Sequence, residues 1–247
     1  MTCLGAAMVF FFRGSSPEKF QRIFLGFAAG VMIAASIWSL LIPAIEESQM
    51  RGQIGWLPAS VGFIFGAAFL LALDRLIPHI HVMSNVREGL KSSSNRTTLL
   101  VAAVTLHNIP EGMAVGLSFA LAAQYGEDPA LYAAAAALAA GIGIQNFPEG
   151  AAVSLPMCQE GVPARKAFFL GCLSGAAEPV FGVLTALAAS WMAPVMPWLL
   201  SFAAGAMMYV VVDELIPEAN LDEHSNSGTL GVLAGFLIMM ILDVAFG

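Results

Sequence analysis

The chain has 247 residues, 58% of them hydrophobic and 11% charged, with a mean hydropathy of +0.80 and a formal net charge of −7. Soluble domains carry about 25% charged residues, so this composition excludes an ordinary water-soluble domain and predicts an all-α, polytopic membrane protein. It holds no basic patch for nucleic acid. None of its lysines (Lys19, Lys91, Lys166) lies in a GxxxxGK[ST] loop, which excludes a P-loop ATP-driven pump within the chain. Cys3, Cys158 and Cys172 are widely spaced, form no CxxC pair, and read as small buried apolar side chains.

Crossing about 30 Å of hydrocarbon takes roughly 20 apolar residues. Residues 1–12 are apolar but too short to cross alone, and they lack the basic start of a signal peptide. They read as the end of a first helix, either short or cut by a start codon assigned too late. Further helices are expected near 20–45, 54–78, 98–123, 130–157, 165–191, 196–217 and 228–246, making eight crossings in one transporter domain over 1–247. With the N-terminus outside, Arg13, Lys19, Arg22, Arg75, Arg87, Lys91, Arg96, Arg165 and Lys166 fall inside, and only Arg51 falls outside. That asymmetry follows the positive-inside rule. The one long loop, about 79–97, is then cytoplasmic; its His79 and His81 read as solvated loop residues.

Two strings recur. FAAGVM at 27–32 returns as FAAGAM at 202–207, and LIP at 41–43 returns at 215–217. The expected helices that hold them cross in opposite directions, as inverted repeats do in many secondary transporters. The second recurrence is sharper: HNIPEG at 107–112 and QNFPEG at 145–150, with six of ten positions shared between 107–116 and 145–154. Residues three and four apart share a helix face. His107, Asn108 and Glu111 therefore point one way, as do Gln145, Asn146 and Glu149.

Glu111, Glu149 and Glu178 each fall near the centre of an expected crossing. An ionised acid there costs about 2.5–3.5 kcal/mol on insertion scales, which compensation by cations, protons or water must offset. Pro110 and Pro148 lack a backbone N–H for the carbonyls of Leu106 and Ile144, freeing acceptors beside the polar sets. Imidazole, carboxylate and amide oxygen together suit Zn²⁺, Fe²⁺, Mn²⁺ or Cd²⁺ better than alkali ions.

At these residues the chain resembles the ZIP (Zrt/Irt-like) family of divalent-metal transporters, and within it the bacterial GufA-type branch. The resemblance covers essentially the whole chain and implies eight helices in a 3+2+3 inverted-repeat plan, both termini outside, in the cell membrane. It implies a primary metal site of His107, Glu111, Gln145 and Glu149, with Met32 approaching from the scaffold side. Asn108, Asn146 and Glu178 would add a second position bridged by Glu111 and Glu149. The chain departs from the pattern at Asn146, where some relatives with paired metals carry aspartate; a neutral amide weakens the second position. The resemblance further implies a homodimer, and motion of helices 1, 4, 5 and 6 against the rest, with the small residues Gly26, Ala28, Ala29, Gly30, Gly141 and Gly143 permitting the sliding. The metal is cargo, and no cofactor is expected.

The leading expectation is thus a secondary transporter bringing a divalent ion, Zn²⁺ foremost, into the cytoplasm through the bilayer. A channel-like or proton-coupled cation carrier is the alternative. An intramembrane metalloenzyme is more distant, because no HExxH is present. The acidic stretch holding Asp213, Glu214 and Glu218 reads as a solvated helix end.

Overall fold

A computed structural model describes residues 1–11, 18–76, 79–80, 87–88, 96–125, 129–159, 161–189, 191, 193–220 and 225–246. Among these, the fold is helical apart from one short antiparallel pairing, β1 (His79–Ile80) with β2 (Arg87–Glu88). Among the described residues, six helical runs are long and apolar enough to cross a membrane: Arg22–Met50, Trp56–Leu76, Pro129–Leu155, Ala164–Ala189, Met196–Ala219 and Ser227–Ala245.

The chain opens with α1 (Thr2–Ala6), continued by a 3₁₀ turn over Ala7–Phe10. Next come α2 (Glu18–Ala35), a π turn over Ser36–Leu41 and α3 (Ile42–Met50), which together form one rod. Helix α4 covers Trp56–Leu76, α5 Arg96–Gln124 and α6 Pro129–Gln159. Helix α7 (Ala164–Ser174) is followed after a two-residue turn by α8 (Ala177–Ala189). Then α9 (Met196–Val210), a second π turn over Val211–Leu215 and α10 (Ile216–Ala219) run on continuously, and α11 (Ser227–Phe246) ends the chain.

Proline explains the irregular turns. Pro43 and Pro217, each closing an LIP string, stand just past a π turn. Each lacks the N–H for the carbonyl four residues back and crowds it, so the turn ahead of it widens instead of breaking. Both copies of the FAAG(V/A)M…LIP string therefore carry the same distortion at the same place. Pro179 acts differently. It removes the partner of the Gly175 carbonyl, and the expected crossing at 165–191 splits at Gly175–Ala176. Pro110 and Pro148, by contrast, lie inside unbroken helices.

Glycine sets the helix spacing. A Cβ on Gly30 would lie 2.0 Å from the Val232 carbonyl oxygen of α11, and one on Gly66 would lie 1.9 Å from that of Phe202 in α9. Backbones this close gain dispersion contact where apolar lipid offers no hydrophobic drive to associate. The helices pair accordingly: α2 lies along α11, α3 and α4 along α9, α5 along α8 and α6, and α1 along α6 and α7. Gly26 and Gly30 thus hold α2 to α11 within one group of helices. Gly141 of α6, facing Met239 of α11, is the glycine of the expected sliding set that meets a helix of the other group.

The outward faces carry large apolar side chains, including Phe65 and Phe69 on α4, Leu184 and Leu187 on α8, and Leu233 and Ile241 on α11. The cysteines depart from their expected burial: Cys3 is exposed on this outer surface, and Cys158 and Cys172 are half-buried. Small apolar side chains are tolerated facing lipid, so the apolar reading holds while the burial does not.

Candidate functional site

The NxPEG motifs stand side by side on α5 and α6. Gln145 Nε2 donates to Glu111 Oε1 at 2.5 Å, with both residues about 1% exposed. Asn146 donates through Nδ2 to Glu178 Oε2 on α8. The other oxygen of Glu178 accepts from Thr2 Oγ1 at 3.3 Å, which brings α1 to the same place. Glu149 lies close enough to Glu111, Glu178 and Glu214 to feel their charges.

The helix break determines how Glu178 reaches this position. It sits in the first turn of α8 rather than in mid-helix, where the free N–H groups and helix dipole favour a negative charge. Gly175 permits the approach, since a Cβ there would lie 2.7 Å from the Thr2 side chain. Ser174, at the end of α7, loses its helical partner for the carbonyl, and Asn108 Nδ2 donates to that oxygen at 2.9 Å. Asn108 thereby spends its donor on the break and not on a neighbouring carboxylate.

After these bonds, one oxygen of each of four motif residues is left without a partner: Asn108 Oδ1, Glu111 Oε2, Gln145 Oε1 and Asn146 Oδ1. All four residues are 2% exposed or less. Buried polar groups are nearly always satisfied, and an unmade bond at one costs about 1–3 kcal/mol. Four orphaned acceptors on two adjacent helices make a site that favours a cation. Among the described residues, no three His, Cys, Asp or Glu side chains are already gathered into a metal-sized cage.

Met32 is buried and shares a crevice with Glu111, Gln145, Pro148 and Glu149. The crevice holds ≈ 10 Å³, about one water-sized sphere. It is closed by Phe24, Leu25 and Ala28 of α2 and by Leu215. On the other side of Glu111 a cavity of ≈ 410 Å³ opens between α5, α6 and α8, with Asn146 and Glu178 on its wall. Glu111 lines both spaces, and Gln145 lines the smaller one. His107 falls on α5, but its side chain lies outside the described residues, as do the side chains of His79 and His81.

Three further acids matter here. Glu214 and Glu218, expected as a solvated helix end, are 7% and 4% exposed. The π turn rotates them inward while Asp213 stays exposed. Asp243 on α11, 6% exposed, accepts from Ser39 Oγ at 2.6 Å and keeps its second oxygen unpartnered. The rule that singled out Glu111 applies equally to Asp243, an acid within an expected crossing.

The ZIP Zinc transporter family model matches residues 83–243, which include both motifs, Glu178 and Asp243. The chain belongs to the ZIP zinc transporter family. Relatives among the ZIP proteins include Zinc transporter ZIP11 of Xenopus tropicalis, 38% identical across all of this chain and 94% of its own length. Zinc transporter GufA of Myxococcus xanthus is 37% identical across 93% of this chain and 89% of its own. Zinc transporter ZIPB of Bordetella bronchiseptica is 36% identical across 100% and 78%. These bacterial relatives agree with the GufA-type branch of the ZIP family.

Proposed function

We propose that this chain is a secondary transporter that carries a divalent transition-metal ion into the cytoplasm by alternating access through a midplane site on α5 and α6. Zn²⁺ is the foremost cargo, ahead of Cd²⁺, Fe²⁺ and Mn²⁺, because the relatives are named zinc transporters. The carrying observation is the set of orphaned oxygens on Asn108, Glu111, Gln145 and Asn146, all from the two motifs. An arriving cation satisfies such acceptors and offsets the charge of Glu111, Glu149 and Glu178. His107, Glu111, Gln145 and Glu149 form the primary set, with Met32 as a soft thioether at its edge. Asn108, Asn146 and Glu178 form the adjoining set, which is the weaker for its two amides.

The architecture proposed with it is a single domain over 1–247 with eight crossings. Helices α2 with α3, α7 with α8, and α9 with α10 each count as one crossing. The N-terminus is outside and the polar loop at about 79–97 is cytoplasmic. The matching π turns ahead of Pro43 and Pro217 support an inverted 3+2+3 repeat. The pairing of α1 and α5 to α8 on one hand, and of α2, α4, α9 and α11 on the other, supports two groups that move against each other. Small residues with few side-chain interlocks suit such movement.

Metal uptake into proteoliposomes tests this reading, with wild type beside Glu149→Ala and His107→Ala, and Zn²⁺, Cd²⁺, Mn²⁺ and Fe²⁺ in turn. Saturable uptake that both substitutions abolish, in chains that still elute as folded protein, is the expected result. Uptake undiminished by either substitution overturns the site, and flux that never saturates favours the channel-like alternative.

A further inference from the structure

Away from the motifs, a polar cluster lies at the far end of α3. Glu47 is 1% exposed, and both of its oxygens are engaged. Oε1 receives Arg51 Nε at 2.5 Å and is ion-paired with the same guanidinium. Oε2 accepts the hydroxyl of Tyr125. Arg51 stands one turn further along the same rod, so its contact is local. Tyr125 stands 78 residues away, just past the end of α5.

That bond joins the two groups of helices. Helix α3 packs on α9 and α4, whereas α5 packs along α8 and α6 and meets α9 as well. The bond also bridges a space instead of lying on a packed seam. A cavity of ≈ 220 Å³ sits there, lined by Pro43, Glu46, Glu47, Leu121, Tyr125 and Leu131 among others. The phenol is a dependable donor, because partial burial and the Glu47 carboxylate hold its ionisation up to about 12.

We propose that Tyr125, Glu47 and Arg51 form a latch that closes the outer mouth of the transporter, and that α5 parts from α3 at the Tyr125–Glu47 bond when the site opens outward. Arg51 fixes the carboxylate so that Tyr125 meets it in one geometry. The latch rests on the alternating-access reading above, with Arg51 outside.

Leu121 lines the cavity and is 6% exposed, which makes it a reporter of opening. Leu121→Cys is placed in a chain whose Cys3, Cys158 and Cys172 are replaced by serine. Spheroplasts expressing it are treated with a membrane-impermeant maleimide, with and without Tyr125→Phe. A hydrogen bond to a charged acceptor is worth about ten-fold or more in an equilibrium, so Tyr125→Phe is expected to speed modification about ten-fold. Glu47→Gln, which keeps an acceptor oxygen for the phenol, is expected to have a smaller effect. Equal rates with and without Tyr125→Phe overturn the latch. Zinc binding and uptake by the purified wild-type chain separate the two readings, since their absence overturns the transport reading whatever the labelling rates.

Discussion

Replacing Asn146 with aspartate probes the site most directly, because the change is nearly isosteric and removes one donor. In wild type, Asn146 Nδ2 donates to Glu178 Oε2. Asn146→Asp removes that donor and sets two carboxylates against each other. A hydrogen bond to a charged group contributes about 1.5–3 kcal/mol. Two unit charges about 4 Å apart repel by about 4 kcal/mol at an effective dielectric constant of about 20. Rotation of either side chain relieves part of this, so a destabilisation of about 3 kcal/mol is the working value for the metal-free protein. For a chain of this size each kcal/mol moves the thermal midpoint by roughly 2–4 °C, which gives a fall of roughly 6–12 °C. Zinc at about 100 times the dissociation constant of the added position returns about 2.7 kcal/mol beyond what the primary site gives both chains, nearly the whole loss. The assay is thermal unfolding in detergent at pH 8, with chelator and then with zinc, beside zinc stoichiometry by mass spectrometry. The expected variant is weaker than wild type without metal, matches it with zinc, and binds more zinc per chain. An unchanged midpoint in chelator would refute the electrostatic reasoning.

Two other outcomes are expected. Gly30→Ala places a methyl group 2.0 Å from the Val232 carbonyl and 2.5 Å from the Phe236 nitrogen, so α2 and α11 must separate. A loss of about 1–3 kcal/mol follows, read as a lower thermal midpoint, whereas Gly143→Ala meets nothing nearer than 3.6 Å and should leave it unchanged or raised. Asp243→Asn keeps an acceptor for Ser39 but removes a buried charge whose second oxygen has no partner. Zinc uptake should fall several-fold with little change in thermal midpoint, and unchanged uptake would reduce Asp243 to a packing role.

The sequence was most legible where composition and spacing act alone. Helix positions followed from runs of apolar residues, and the six membrane-length runs fall on the expected segments. The NxPEG sets were legible because helical spacing forces their side chains to one face, and Gln145 does meet Glu111. Which face of each helix turns inward was harder to read. In a bilayer both the lipid side and the packed side are apolar, so burial leaves little mark on hydrophobic periodicity. Glu214 and Glu218 turn inward against expectation for that reason, and because a π turn holds the first and precedes the second. The break at Gly175 had a signal in Pro179, four residues on, but the same spacing at Pro110 and Pro148 leaves a helix intact. What differs is a neighbour: α1 presses Thr2 against Gly175, and Asn108 caps the freed carbonyl. Contacts of that kind are set by tertiary packing and have no local signature.

The two π turns bear on how the chain tolerates change in length. A π turn is a helix that has absorbed one residue beyond its α-helical count. Removing a single residue within 36–41 or 211–215 can restore regular winding and leave both flanks facing as before. The same deletion in the middle of α4 or α11 would rotate everything beyond it by about 100° and carry the glycine faces away from their partners. The widened turns thus act as reserves of chain length, one in each copy of the repeated string, where the helix can gain or give up a residue without losing its register.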